Sequence, residues 1–236
     1  MTQPQFLWPP PPLTSLQVRA SAARAPVRRI FCIARNYHAH AVEMGAPVDK
    51  ATMRPVHFRK DASALVPSGS TIPFPPGTEN LHYEMELVVM LGKPGFRVSA
   101  EEAPQLVFGY AAGLDMTRRD LQLTARHQGQ PWDVGKNFEH SAVCGPLVPA
   151  TELELTPATA ISLEVNGQMR QESTVSNMIW TIGELIADLS TFYHLEAGDL
   201  IYTGTPEGVG AVKPGDRLLG RIDGVGELEL TIGQPE

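Results

Sequence analysis

Leu81-His82-Tyr83-Glu84-Met85-Glu86-Leu87-Val88-Val89-Met90 sets two acids inside an otherwise apolar run, and Asp115 closes a second such run, Val107 to Met116. Side chains alternate along a strand, so Glu84 and Glu86 share one face, about 7 Å apart. Leu81, Tyr83, Met85, Leu87 and Val89 fall on the other face and read as core. Antiparallel sheets often carry acids on a solvated face, but here Val88 and Met90 continue the acidic face, so it is only partly wet. Repulsion and desolvation make paired carboxylates costly unless protons or a cation neutralise them. A bound divalent metal is the simplest answer. Three carboxylates with no cysteine nearby select a hard ion, Mg²⁺ or Mn²⁺ with Ca²⁺ admitted, and leave coordination positions open for water or a chelating substrate.

The rest of the chain reads as β-rich with few helices. Val27 to Ala34 is a β-branched run that leads through Arg35-Asn36-Tyr37 into a short helical pattern, His38 to Met44, stopped by Gly45 and Pro47. Pro67 to Gly77 is too rich in proline and glycine for a helix and reads as irregular, with short extended pieces such as Val56-His57-Phe58 before it. Helical spacing returns at Arg118 to Gln128. Asn166-Gly167 between Ile161–Val165 and Met169–Glu172 is a strong hairpin signal. Thr181 to Leu195 is the clear amphipathic helix, with Ile182, Leu185, Ile186, Leu189 and Phe192 on one stripe. Leu200-Ile201-Tyr202 follows as a strand, and Leu218–Ile222 pairs across Asp223-Gly224 with Leu228–Ile232. There is no internal repeat and no βαβ rhythm.

Composition bounds the function. At 236 residues and 42% hydrophobic, the chain can bury a sizeable core. Its net charge of −7, with no basic stripe, argues against nucleic acid. No stretch approaches the roughly 20 apolar residues of a membrane span. Met1 to Pro12 is polar and then proline-rich, without the basic start and apolar run of a signal peptide, and reads as a loose tail. Cys32 and Cys144 give neither a disulfide framework nor a zinc spacing, and read as small buried hydrophobes in a reducing cytoplasm.

Other residues bear on chemistry. His40 and Glu43, three apart on a helical turn, are placed for a carboxylate to orient a basic imidazole; spacing alone does not decide between His40 and His38. The cations near the acids are Arg35, Lys60, Arg118, Arg119 and Lys136, with Gln122 on the face of Arg119. A guanidinium suits bidentate carboxylate recognition, and Lys136, set among apolar residues, needs an anionic partner if buried. Thr203-Gly204-Thr205-Pro206-Glu207-Gly208-Val209-Gly210 lacks the Gly-Lys-Ser/Thr ending of a phosphate loop. It reads as a tight turn whose hydroxyls and amides can donate to a carboxylate.

These segments in order resemble the fumarylacetoacetate hydrolase superfamily from Val27 to the C-terminus: Arg35-Asn36-Tyr37-His38-Ala39-His40, His82-Tyr83-Glu84-Met85-Glu86-Leu87, Gly113-Leu114-Asp115-Met116-Thr117, Pro131-Trp132-Asp133-Val134-Gly135-Lys136 and the Thr203 to Gly210 loop. The run Asp115 to Gln122 is similar to the bacterial fumarylpyruvate hydrolase branch, with acylpyruvate hydrolases and oxaloacetate decarboxylases as near relatives. The resemblance implies an α+β, β-rich fold, a mixed β-sandwich or roll with few short helices, spanning residues 27–236 after a lead-in of residues 1–26. It implies a cytoplasmic homodimer acting on a small oxo acid, with one divalent ion per subunit on Glu84, Glu86 and Asp115. His40 and Glu43 become the water-activating dyad, with Lys136 stabilising an enolate. Arg119, Gln122, Lys136 and Thr205 become the grip on the pyruvyl end. Arg35, Arg59, Arg118 and His127 are the candidates for a carboxylate at the far end. Ala34 stands where many relatives have glycine, and Asp61 where proline is usual; both bear on the substrate rather than the chemistry.

Overall fold

The computed structural model describes residues 5–236; residues 1–4, where the N-terminal tail begins, lie outside it. Its centre is a mixed sheet whose strands run in the order Val56–Lys60, Arg29–Ala34, Asp199–Tyr202, Met85–Leu91, Val107–Asp115, Ala142–Cys144 and Leu65–Pro67. The two edge strands, Val56–Lys60 and Leu65–Pro67, are joined by residues 61–64 alone. Lys60, on one edge, lies 2.9 Å from Asp115 on the far side of the sheet. So short a link between opposite edges forces the sheet to curl into a roll.

The roll's interior is filled by Ile30, Cys32, Val88, Met90, Ala111, Leu200 and Tyr202, with Leu16 and Val18 from the N-terminal segment closing it. Its outer face is covered in two halves. At one end Met85, Leu87 and Leu114 pack on Leu163, Leu218, Leu228 and Leu230 of a second sheet. That sheet runs Gln168–Thr174, Ala160–Val165, Arg217–Ile222, Gly226–Pro235 and Ser70–Phe74. At the other end Phe31, Val89, Leu91 and Ile201 meet the helix Ile182–Phe192. Val89 is therefore core as expected, but against a helix rather than the second sheet.

Four α-helices are present among the described residues: α1 (His38–Glu43), α2 (Arg119–His127), α3 (Asp133–Lys136) and α4 (Ile182–Phe192). Thr181 caps α4 in a reciprocal box with Glu184. Phe192 does not join the buried stripe; it is 56% exposed and packs beside His57 and under Arg54 at the surface, where the helix ends. The irregular stretch expected over Pro67 to Gly77 contains a strand, Ser70–Phe74, lying parallel to Gly226–Pro235. Asn166 and Gly167 both take left-handed backbone, the conformation a two-residue hairpin needs. Cys32 and Cys144 are buried thiols.

One feature of the sheet sets the site. The run from Leu81 to Met90 is not a single strand. Leu81–Tyr83 pairs with Thr117–Arg118 and Gly210–Val212, whereas Met85–Leu91 pairs with Asp199–Tyr202 and Val107–Asp115. The chain changes sheets at Glu84, and its neighbour changes sheets just after Asp115.

Candidate active site

At this step between sheets the Asp115 amide donates to the Glu84 carbonyl at 2.9 Å, which sets the two acids side by side. Glu86 lies one place inside the roll. The three carboxylates offer oxygens within 4.8 Å of one another, and all are buried.

Cations supply most of the neutralisation for two of the three acids. Lys136 Nζ donates to Glu84 Oε2 at 2.6 Å, Asp115 Oδ2 at 2.7 Å and Thr117 Oγ1 at 2.7 Å. Arg119 donates to Glu84 Oε1 at 2.5 Å and to Gln122 Oε1 at 2.5 Å. Burial alone would raise the Glu84 carboxyl, but Lys136 and Arg119 outweigh it and hold the group well below the usual carboxylate range. Burial lowers Lys136 and the two acids more than restore it, so it stays charged. Residues 115–118 are extended rather than helical, so Arg119 reaches Glu84 instead of stacking one turn above Asp115.

Glu86 is the exception. It accepts the Gly204 amide at 2.7 Å, yet burial and the charges of Asp115 and Glu84 push it well above its ordinary range. Asp115 Oδ1 has Lys60 Nζ 2.9 Å away, but Lys60 directs its protons to the carbonyls of Met116 and Lys136, and Oδ1 receives no hydrogen bond. An unbalanced carboxylate, a carboxylate oxygen that accepts no hydrogen bond, and a buried set of all-oxygen donors fit a divalent cation.

His40 Nδ1 is 3.0 Å from Glu43 Oε2, and the other Glu43 oxygen accepts the Gly208 amide at 3.1 Å. Pairing Nδ1–H with the carboxylate leaves Nε2 as the basic atom, a tautomer inferred from the hydrogen bond. His40 is buried against the acids and His38 is exposed, so geometry selects His40.

A cavity of about 250 Å³ opens onto this cluster, lined by Arg35, His40, Glu84, Glu86, Arg119, Gln122, Lys136 and Thr205, with Ala34, Phe58, Leu123 and Trp132 among its apolar walls. Glu43 and Asp115 reach it through His40 and the acid cluster, so all ten expected site residues converge. Of the other far-end candidates, Arg59 and His127 are exposed outside the cavity. Arg118 turns away to lie over the Phe138 ring.

Two contributors, Gln171 and Arg126, are absent from the reading of the chain, and a third, Gly204, lies in the turn it singles out without a stated partner. Gly204 holds φ +99° and a Cβ there would meet Asn36 Cβ at 2.7 Å, so glycine alone brings its amide onto Glu86. Gln171, buried on an otherwise exposed strand, donates to Thr205 Oγ1 at 2.8 Å and accepts the Met85 amide at 3.0 Å. Arg126 also lines the cavity. A buried glutamine amid polar strand residues is a signal visible only after register is known.

Comparison with known proteins gives a consistent picture. Residues 29–233 match the fumarylacetoacetate (FAA) hydrolase C-terminal family. The chain is 57% identical over 193 residues to fumarylpyruvate hydrolase of a Ralstonia species, covering 82% of this chain and 100% of that protein. It is 41% identical over 205 residues to the rat mitochondrial oxaloacetate tautomerase FAHD1, covering 87% and 91%. The crystal structure of Pseudomonas aeruginosa fumarylpyruvate hydrolase in complex with Mn²⁺ and pyruvate superposes with a TM-score of 0.93 at 47% identity, covering 98% of this chain and all of that one.

Proposed function

This chain belongs to the fumarylacetoacetate hydrolase C-terminal family, and on that premise we propose that it is a divalent-metal-dependent hydrolase cleaving the C3–C4 bond of fumarylpyruvate, a 2,4-dioxo acid, to fumarate and pyruvate. The observation that carries this reading is one cavity holding both the Glu84–Glu86–Asp115 cluster and the His40–Glu43 pair.

Mg²⁺ or Mn²⁺ on Glu84, Glu86 and Asp115 would supply Lewis acidity toward the oxo-acid end of the substrate. Arg119 and Gln122 grip that end from α2. Thr205 Oγ1 accepts from Gln171, so its own proton is available to a substrate carboxylate. His40 Nε2, with Nδ1 held by Glu43, takes a proton from water, and the hydroxide adds to the C4 carbonyl. Collapse of the adduct breaks C3–C4, giving a carboxylic acid and the enolate of pyruvate, whose C3 recovers the proton from His40. Lys136 has all three protons engaged by Glu84, Asp115 and Thr117, so it meets the enolate through its charge.

The reading brings with it a cytoplasmic homodimer, a catalytic unit of residues 27–236 after a lead-in of residues 1–26, and a role in gentisate-type aromatic catabolism. No helix among the described residues is long and apolar enough to cross a membrane. Light scattering at twice the chain mass checks the dimer.

The 41% identity to an oxaloacetate tautomerase favours a second reading of the same site, proton transfer at carbon without water attack. Purified protein assayed on fumarylpyruvate, acetylpyruvate and oxaloacetate, with Mn²⁺ and with a chelator, separates the two. Hydrolysis should be lost on chelation and fall about 10²–10⁴-fold in His40→Ala. Full hydrolysis in metal-free protein would refute the proposal, and turnover of oxaloacetate alone would establish the second reading.

A further inference from the structure

We propose that Arg35 and Arg126 form a second, distal anion subsite in this cavity, which selects acyl groups ending in a carboxylate. The assignment rests on the hydrolase reading above and deepens it.

The positive charges at the metal end of the cavity are all matched, since Lys60, Lys136 and Arg119 each face Glu84 or Asp115. Arg35 and Arg126 line the same cavity. Neither takes part in an ion pair among the described residues. Arg126 donates to the carbonyls of Met44 at 2.9 Å and Gly45 at 3.4 Å, which are neutral groups. Arg35 Nε is buried without any partner. Its backbone is left-handed, φ 58°, a conformation few non-glycine residues adopt, so the fold meets a conformational cost to present this side chain.

Two half-buried like charges sharing one cavity repel each other. Burial and the charge of Arg126 both weaken the hold of Arg35 on its proton. A carboxylate between them removes both penalties, in the fork geometry that guanidinium offers. Ile33, Phe58, Leu123 and Trp132 line the cavity with the two polar clusters and suit a short unsaturated carbon chain. A substrate charged at both ends fits this layout, and a methyl-ended one leaves the arginines unpaired.

The test compares kcat/KM for fumarylpyruvate and acetylpyruvate in the full-length, Mn²⁺-loaded protein. Arg35→Asn, which tolerates the left-handed backbone, and Arg126→Gln should each lower the ratio of the two values by about 10- to 150-fold, the worth of a charge-assisted hydrogen bond. Arg126→Lys, which keeps the charge, should recover much of the ratio. Circular dichroism checks folding, and Arg126→Gln carries the comparison if Arg35→Asn does not fold. Ratios within about threefold of wild type in the folded variants would overturn the subsite while leaving the hydrolase standing. Wild-type protein inert on both dioxo acids would overturn the hydrolase and the subsite together.

Discussion

At the Glu86 carboxylate, burial and the charges of Asp115 and Glu84 favour a proton, while the Gly204 amide and the more distant Lys136 favour the ionised form. A dication reverses that balance, which makes Glu86 the ligand most dependent on the ion. Glu86→Gln keeps an acceptor for Gly204 and loses the charge. Its Mn²⁺ affinity, measured by titration calorimetry, should fall by more than the roughly 10–100-fold that removal of a supporting hydrogen bond causes at metal sites. Unchanged affinity would place the ion elsewhere. The two-residue alternation was enough to single out Glu84 and Glu86, because burial of that face follows from Val88 and Met90. The neutralisers were less legible. Lys60 and the Gly204 turn stand among the candidates, but Lys60 bonds a carbonyl 56 positions away and Gly204 an acid 118 positions away, pairings that local spacing does not specify. Lysine and arginine already balance Glu84 and Asp115, so the demand for a divalent ion concentrates on Glu86.

Elements were read best where local chemistry decides them. The start of the helix at Thr181 and the Asn166-Gly167 turn each depend on a few neighbouring residues, and both form where the sequence places them. Ser70–Phe74 does not read as a strand because Pro73 forbids an interior one; as the edge of its sheet the strand tolerates the missing donor. The break at Glu84 is not legible in the run itself, because it depends on which partners flank each half. The Thr203–Pro206 turn shows how a loop can govern a sheet-borne site. Gly204→Ala must place a Cβ against Asn36 in a backbone region costly for alanine. Urea unfolding of the metal-free variant should show a loss of about 1–3 kcal/mol. Wild-type stability would mean that the turn relaxes freely.

For the whole molecule, ion binding and folding are linked, since the three ligands converge only when both sheets are assembled. Mn²⁺ at about 100 times its dissociation constant should add about 2.7 kcal/mol. For a chain of this size that is a rise of roughly 5–10 °C in melting temperature, readable by scanning calorimetry. Glu86→Gln should lose most of the rise. Away from the site, burial lowers the pKa of His57, with Arg54 adding and Asp188 opposing. The unfolded chain takes up this proton as pH falls through about 6.5 while the folded one resists, so folding weakens on acidification below that value. His57→Gln should lose less stability between pH 7 and pH 5 than wild type, measured by urea midpoints in chelator. Finally, the strand Asp199–Tyr202 occupies the middle of the roll, between Arg29–Ala34 and Met85–Leu91. A ribosome making about 5–20 residues per second delivers it roughly 10–30 s after the first of those neighbours. Throughout that interval the emerging polypeptide holds two unpaired apolar strand edges apart, and a chaperone that shields them would decide how much of each nascent protein reaches its native state.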